Sequence, residues 1–255
     1  MIKFFQWIYT LYSAFLFIIL MLMFSLFIIT PLLISDRAGR VSFIFIRLWA
    51  GIWAALSGIR FEVYGKEHID PTTSYIYVFN HRSFIDAPMI PLSIPQEVRA
   101  IGKKELSRIP LFGTLIGKVA VWVDRSSAAS RKLSVARLIE YLDKGISIVM
   151  APEGTRNDTV DALLPFQKGA FRLSIESQIP IMPMAVIGAD RIMKRGSILL
   201  SPGTVRVYFS QAMMPPANSE TAVQEFCEQV RVRMAALVLM KDKTTQIPQL
   251  RPPHR

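Results

Sequence analysis

From Phe4 to Ser35 the chain carries no charged side chain, a run of 32 residues whose only polar groups are Gln6 and scattered hydroxyls. As one helix the run reaches about 48 Å, against about 30 Å of hydrocarbon in a bilayer. Pro31 is expected to mark its exit. A cleaved signal peptide is the competing reading. The run far exceeds the ~7–15 apolar residues of such a peptide, and no small-x-small site stands convincingly before Asp36.

The flanks set an orientation. Only Lys3 precedes the run, whereas Arg37, Arg40 and Arg47 follow it. That asymmetry places the rest of the chain on the cytoplasmic side. A second apolar stretch, 41–58, contains Trp49 and Trp53 and is broken by Arg47. Aromatics with an arginine suit a membrane interface better than the bilayer centre. Two geometries fit: a spanning first helix, or a helix pair embedded from one side. Either tethers the chain to a membrane.

Composition then narrows the function classes. The chain has 255 residues, 51% of them hydrophobic, and a formal charge of +11. A disordered basic tail would be poor in apolar residues, so that class is excluded. The remaining partners for a surface both apolar and basic are anionic lipid or nucleic acid. Nucleic acid is the weaker of the two, because nearly half of the aromatics fall in the membrane segment and the cations gather elsewhere. A single cysteine, Cys227, excludes an intrachain disulfide and any Cys-built zinc cluster, and three histidines leave little scope for a His-built metal site.

Beyond residue 58 strand-like and helix-like stretches alternate. Residues 61–64, 75–79, 98–101, 119–123, 146–150, 181–187 and 205–209 read as strands, several of them continuously apolar. Strands buried on both faces look like that. Helical patterns lie between them, the clearest over 129–144, with Gly145 as its stop. A last helix opens at a Ser219 cap and carries Cys227 on its apolar stripe. The pattern predicts an α/β fold: a mixed, largely parallel sheet flanked by helices, preceded by the apolar helix pair. Residues 1–58 are read as the anchor, 59–240 as the globular domain and 241–255 as a mobile tail.

Two short constellations carry the chemistry. Asn80-His81-Arg82-Ser83-Phe84-Ile85-Asp86 follows a strand, where ligand sites of α/β sheets cluster. With His81 on the turn and Asp86 in the first helical turn, carboxylate and imidazole can meet. A carboxylate on one ring nitrogen leaves the other free as a base. The alternative is that Asp86 only caps the helix, alongside Ser83, and His81 is incidental. His68 and His254 have no carboxylate at that spacing and are read as solvated. The second constellation, Pro152-Glu153-Gly154-Thr155-Arg156, follows the strand 146–150. A glycine and an arginine there suit an oxyanion site, with an ordinary turn as the alternative. Lys103, Lys104 and Arg125 end two further strands, and a parallel sheet would bring all these cations to one edge. Lys168 adds a cation or simply starts a helix.

Together these segments resemble the glycerolipid acyltransferase family, and most of all its bacterial 1-acyl-sn-glycerol-3-phosphate acyltransferases. Asn80-His81-x4-Asp86 and Glu153-Gly154-Thr155-Arg156, 72 positions apart from His81 to Glu153, look like the family's first and third motifs. Lys103-Lys104-Glu105-Leu106 and the stretch 110–113 resemble the segment before the second motif, and Val123-Asp124-Arg125 resembles its arginine-bearing end. Residues 179–185 resemble the proline-containing fourth. Ala151 and Asn157 depart from the usual aromatic and serine.

The resemblance implies acyl transfer from acyl-CoA or acyl-carrier protein to the sn-2 hydroxyl of lysophosphatidic acid, with no cofactor and no metal. It implies His81 as base, Asp86 as its orienter, and Arg156 with Lys103 or Lys104 as phosphate holders. Arg125 is a further phosphate contact. Glu153, Gly154 and Thr155 belong to the substrate loop. The expected place is a bacterial inner membrane, with the catalytic domain on its cytoplasmic side.

Overall fold

The computed structural model describes residues 2–34, 38–109, 113, 116–117, 119–124, 126–219 and 221–246. Two antiparallel helices lead: α1 (Ile2–Ile34) and α2 (Gly39–Leu56). Pro31 does not end α1, which runs on to Ile34. The helices lock together through Phe17, whose ring meets Trp49 and Trp53 edge-on, and through Trp53 Nε1–H donating to Ser13 O at 3.0 Å. Thr10 Oγ1 accepts from Leu200 N at 2.9 Å and Gln6 donates to Ser201 Oγ, which ties α1 to the globular part.

The opposite face of the pair is bare. Phe4, Phe5, Leu11, Phe15, Met23, Leu26 and Leu33 of α1 and Val41, Ile44, Leu48 and Ile52 of α2 are exposed. Both helices are long and apolar enough to cross a membrane. An exposed apolar surface of this kind suits lipid better than water.

The side chains taken to favour an interfacial second helix, Trp49, Trp53 and Arg47, face the protein instead. Both tryptophans are buried in the core. Arg47 turns inward and donates to the carbonyls of Pro91, Ile94 and Pro95 at 2.8, 2.7 and 2.9 Å. Helix ends leave carbonyls without partners, and a guanidinium satisfies several at once.

Seven strands form one sheet in the order β1-β7-β6-β2-β5-β3-β4. They are β1 (Ile59–Tyr64), β2 (Ile76–Phe79), β3 (Val98–Lys103), β4 (Ala120–Val123), β5 (Ser147–Met150), β6 (Ile181–Ile187) and β7 (Gly203–Phe209). Strands β2 to β6 are mutually parallel, and β7 with β1 runs the other way. Period-two geometry divides each central strand between two cores. Tyr77, Phe79, Val149, Met182 and Met184 pack toward α1, α2 and α3 (Asp86–Ser93). Ile76, Val78, Ile148, Met150 and Ile181 face the other side, covered by α4 (Ala128–Asp143), α5 (Gly169–Ser177) and α7 (Ala222–Gln246). A short helix α6 (Ala189–Ile192) follows β6.

Local signals behave as expected. Ser127 Oγ accepts from Ser130 N at the start of α4, and Gly145 follows its end at φ 77°. Ser219 Oγ accepts from Ala222 N at the start of α7, which buries Cys227. Lys168 immediately precedes α5, so its segment starts a helix. Helix α7 continues to Gln246, six residues into the segment expected as tail; residues 247–255, His254 among them, lie outside the described residues.

Candidate active site

The site forms where β2 and β5 end side by side. Asn80 closes β2: its amide donates to Val186 O at 2.9 Å and accepts from Val186 N at 2.7 Å, pinning the turn to β6. His81 follows. Its Nδ1 lies 2.7 Å from Asp86 Oδ2, and the same oxygen accepts from Arg82 N and Ser83 N at 3.0 Å each. Asp86 is 1% exposed and the imidazole 28%. A buried carboxylate at that distance makes Nδ1 the donor and leaves Nε2 with the lone pair. Asp86 thus caps the turn and orients the ring at once. Ser83 completes only half of the expected capping box, because its Oγ accepts from Ile85 N and donates to Met193 O.

The loop after β5 grips the histidine from both sides. Glu153 Oε1 accepts from His81 N at 2.9 Å, its Oε2 accepts from Leu164 N at 2.8 Å, and Asn157 N donates to His81 O at 2.6 Å. Burial pushes the Glu153 carboxyl above its ordinary value, while the N–H groups of Leu164 and His81 pull it back. Gly154 sits at φ 71°, a left-handed turn that favours glycine. Thr155 is exposed. Arg156 comes next, its guanidinium lying 3.8 Å above the ring of Phe84. Burial, then the charge of Arg195, holds that guanidinium below the usual arginine range.

Extending the strand registers puts His81, Glu153, Lys104 and Asp124 at one level of the sheet edge. The lysines are two strands from His81, about 10 Å by the usual strand spacing. Each faces a carboxylate: Lys103 with Glu105 at 3.3 Å, Lys104 with Asp124 at 3.4 Å. Arg125 lies outside the described residues. His68 is exposed at the far edge, with Nδ1 3.3 Å from Phe209 O.

Sequence reasoning gave no role to Arg195, Phe84 or Arg82. Arg195 pairs with Asp158 at 2.8 Å and donates to Arg156 O. Arg82 reaches Thr159 O, Asp161 O and Asp190. Phe84 could have been suspected as a large apolar residue inside a polar motif. Nothing in the sequence links Arg195 to the site. Among the described residues, no group of three or more His, Cys, Asp or Glu side chains could hold a metal ion.

Chemically, this arrangement can draw a proton from a hydroxyl at Nε2 while Arg156, which has no carboxylate partner among the described residues, holds an anion beside it. A site of this kind is suited to activating a hydroxyl close to a negative charge. The Acyltransferase family model matches residues 60–187, and the chain belongs to that family. The 1-acyl-sn-glycerol-3-phosphate acyltransferase of Limnanthes alba is 33% identical over 171 residues, 66% of this chain and 58% of that protein. The alpha form from Mus musculus is 32% identical over 170 residues, 65% of this chain and 57% of its own length. The chain therefore spans under three-fifths of these curated relatives. The crystal structure of the 1-acyl-sn-glycerophosphate (LPA) acyltransferase PlsC from Thermotoga maritima shares the fold. Its TM-score is 0.79 at 22% identity, covering 94% of this chain and 98% of that one.

Proposed function

We propose that the chain transfers a fatty acyl group from an acyl thioester, acyl-CoA or acyl-carrier protein, to the sn-2 hydroxyl of lysophosphatidic acid. The observation that carries this reading is the His81–Asp86 pair at 2.7 Å, next to an arginine without an acidic partner among the described residues. His81 Nε2 removes the hydroxyl proton as the oxygen attacks the thioester carbonyl. The C–O bond forms, the C–S bond breaks, and the leaving thiolate takes the proton from the imidazolium. No covalent acyl-enzyme, metal or cofactor enters these steps. Asp86 stabilises the imidazolium while it exists. Arg156 holds the phosphate, and the lysine-bearing end of β3 adds positive potential. Glu153 and Gly154 shape the loop that does this.

A membrane-resident acceptor and product fit the bare face of the helix pair. Helix α2 meets the globular part along its length, through Arg47 in its middle and through Gly39, where an added Cβ would strike Glu97. Contacts of that kind favour a pair lying against one leaflet over a separate span. The basic excess after residue 35 favours the cytoplasmic side, which in a bacterium means the inner membrane.

The test is acyl transfer in membranes with varied acceptors. His81→Ala should abolish transfer to lysophosphatidic acid while the protein stays membrane-bound. Substantial residual activity rejects the base assignment. A wild-type preference for another lysolipid would move the acceptor and keep the reaction.

A further inference from the structure

Phe84 is half exposed, at 51%, in the turn between His81 and Asp86. Its ring packs under the Arg156 guanidinium, with Cζ 3.8 Å from the ring centroid. A guanidinium whose carbon sits that close over a ring keeps N–H donors at its edge with which to grip a phosphate fork-wise. The other cations around the site are engaged differently: Lys103, Lys104, Arg82 and Arg195 each have a carboxylate within 4 Å. Arg156 has none that close among the described residues, and it feels the positive charge of Arg195 more than the negative charge of Asp86. An arginine held only by an aromatic face, beside a second arginine, is a place for an anion.

We propose that Phe84 is a positioning residue for phosphate: it fixes the plane of Arg156 so that the guanidinium edge meets the phosphomonoester of the acceptor. This rests on the reading of Arg156 given above. The role is separate from that of an apolar wall, since the ring works through the cation and not through the acyl chain.

The experiment uses the full chain in membranes and glycerol 3-phosphate as a competitive inhibitor of transfer to lysophosphatidic acid. The inhibitor carries the phosphate and no acyl chain, so loss of an apolar wall does not touch its Ki. An exposed cation–π contact corresponds to about a two- to fivefold change in affinity. Phe84→Leu, which keeps apolar bulk and removes the ring, should raise this Ki by about that factor and leave kcat nearly unchanged. Phe84→Trp should restore the wild-type Ki. Arg156→Ala should raise the Ki further. If Arg156→Ala leaves the Ki unchanged, the phosphate reading itself fails. If Arg156→Ala raises it and Phe84→Leu does not, this proposal alone is overturned. A Phe84→Trp variant that behaves like Phe84→Leu overturns it as well. Should Phe84→Leu fail to fold, the comparison of Phe84→Tyr with Phe84→Met decides in the same way: only the ring should keep the Ki.

Discussion

Replacing Asp86 by asparagine separates the two tasks of its Oδ2, which accepts from His81 Nδ1 and also from the N–H groups of Arg82 and Ser83. Asparagine is as good a helix-start residue as aspartate. Its amide oxygen can take the place of Oδ2, with the new NH2 turned to the side where Oδ1 has no hydrogen-bond partner among the described residues. Geometry is then kept and only charge is lost. The carboxylate and an imidazolium have charge centres about 4 Å apart, worth about 4 kcal/mol at an effective dielectric constant near 20. That is about three powers of ten in rate. The imidazole is 28% exposed, so water trims the effect, and a fall of about 10²–10³ in kcat is expected. The assay is release of free thiol from the acyl thioester in the presence of lysophosphatidic acid, run beside a thermal melt in detergent. An Asp86→Asn enzyme within tenfold of wild type, with an unchanged melt, refutes the argument and leaves Asp86 as a cap alone.

Two further outcomes follow from buried polar groups. Burial raises Glu153 above its ordinary 4.5, so the folded state holds that proton more tightly than the unfolded chain does. Its contribution is full below 4.5 and is lost as pH climbs through the higher folded value. The melting-temperature difference, wild type minus Glu153→Gln, should therefore shrink as pH rises past 4.5, and a widening gap contradicts the assignment. Arg47→Met strands three carbonyls at and just beyond the end of α3 and should cost about 2 kcal/mol or more, some 4–8 °C in a detergent melt. Arg47→Lys, lacking the fork, should recover only part of it, and equal melts for all three proteins would show those contacts to be idle.

The strands were legible because burial on both faces leaves continuous apolar runs, and turn residues bracket them; each of the seven falls within two residues of its expected bounds. The His81–Asp86 contact was legible for a local reason: a five-residue spacing across a strand–turn–helix junction brings the two side chains together. Strand order and the reversal of β7 and β1 are set by long-range pairing, which no local pattern records. Arg47 was misread for a related reason. An arginine in an apolar helix looks interfacial until the partner carbonyls, more than forty residues away, are in place. Arg195 joins the site only through the path of the chain after α6.

The double grip on His81 has a consequence for recognition. The loop that holds its main chain, at Glu153 on one side and Asn157 on the other, is the loop that carries Arg156 between those two points. On the proposed chemistry, the proton acceptor and the phosphate holder are then two marks on one rigid rule. A substrate is selected by the span from its charge to its hydroxyl. An acceptor with one bond too many between them would bind well at either mark and react at neither.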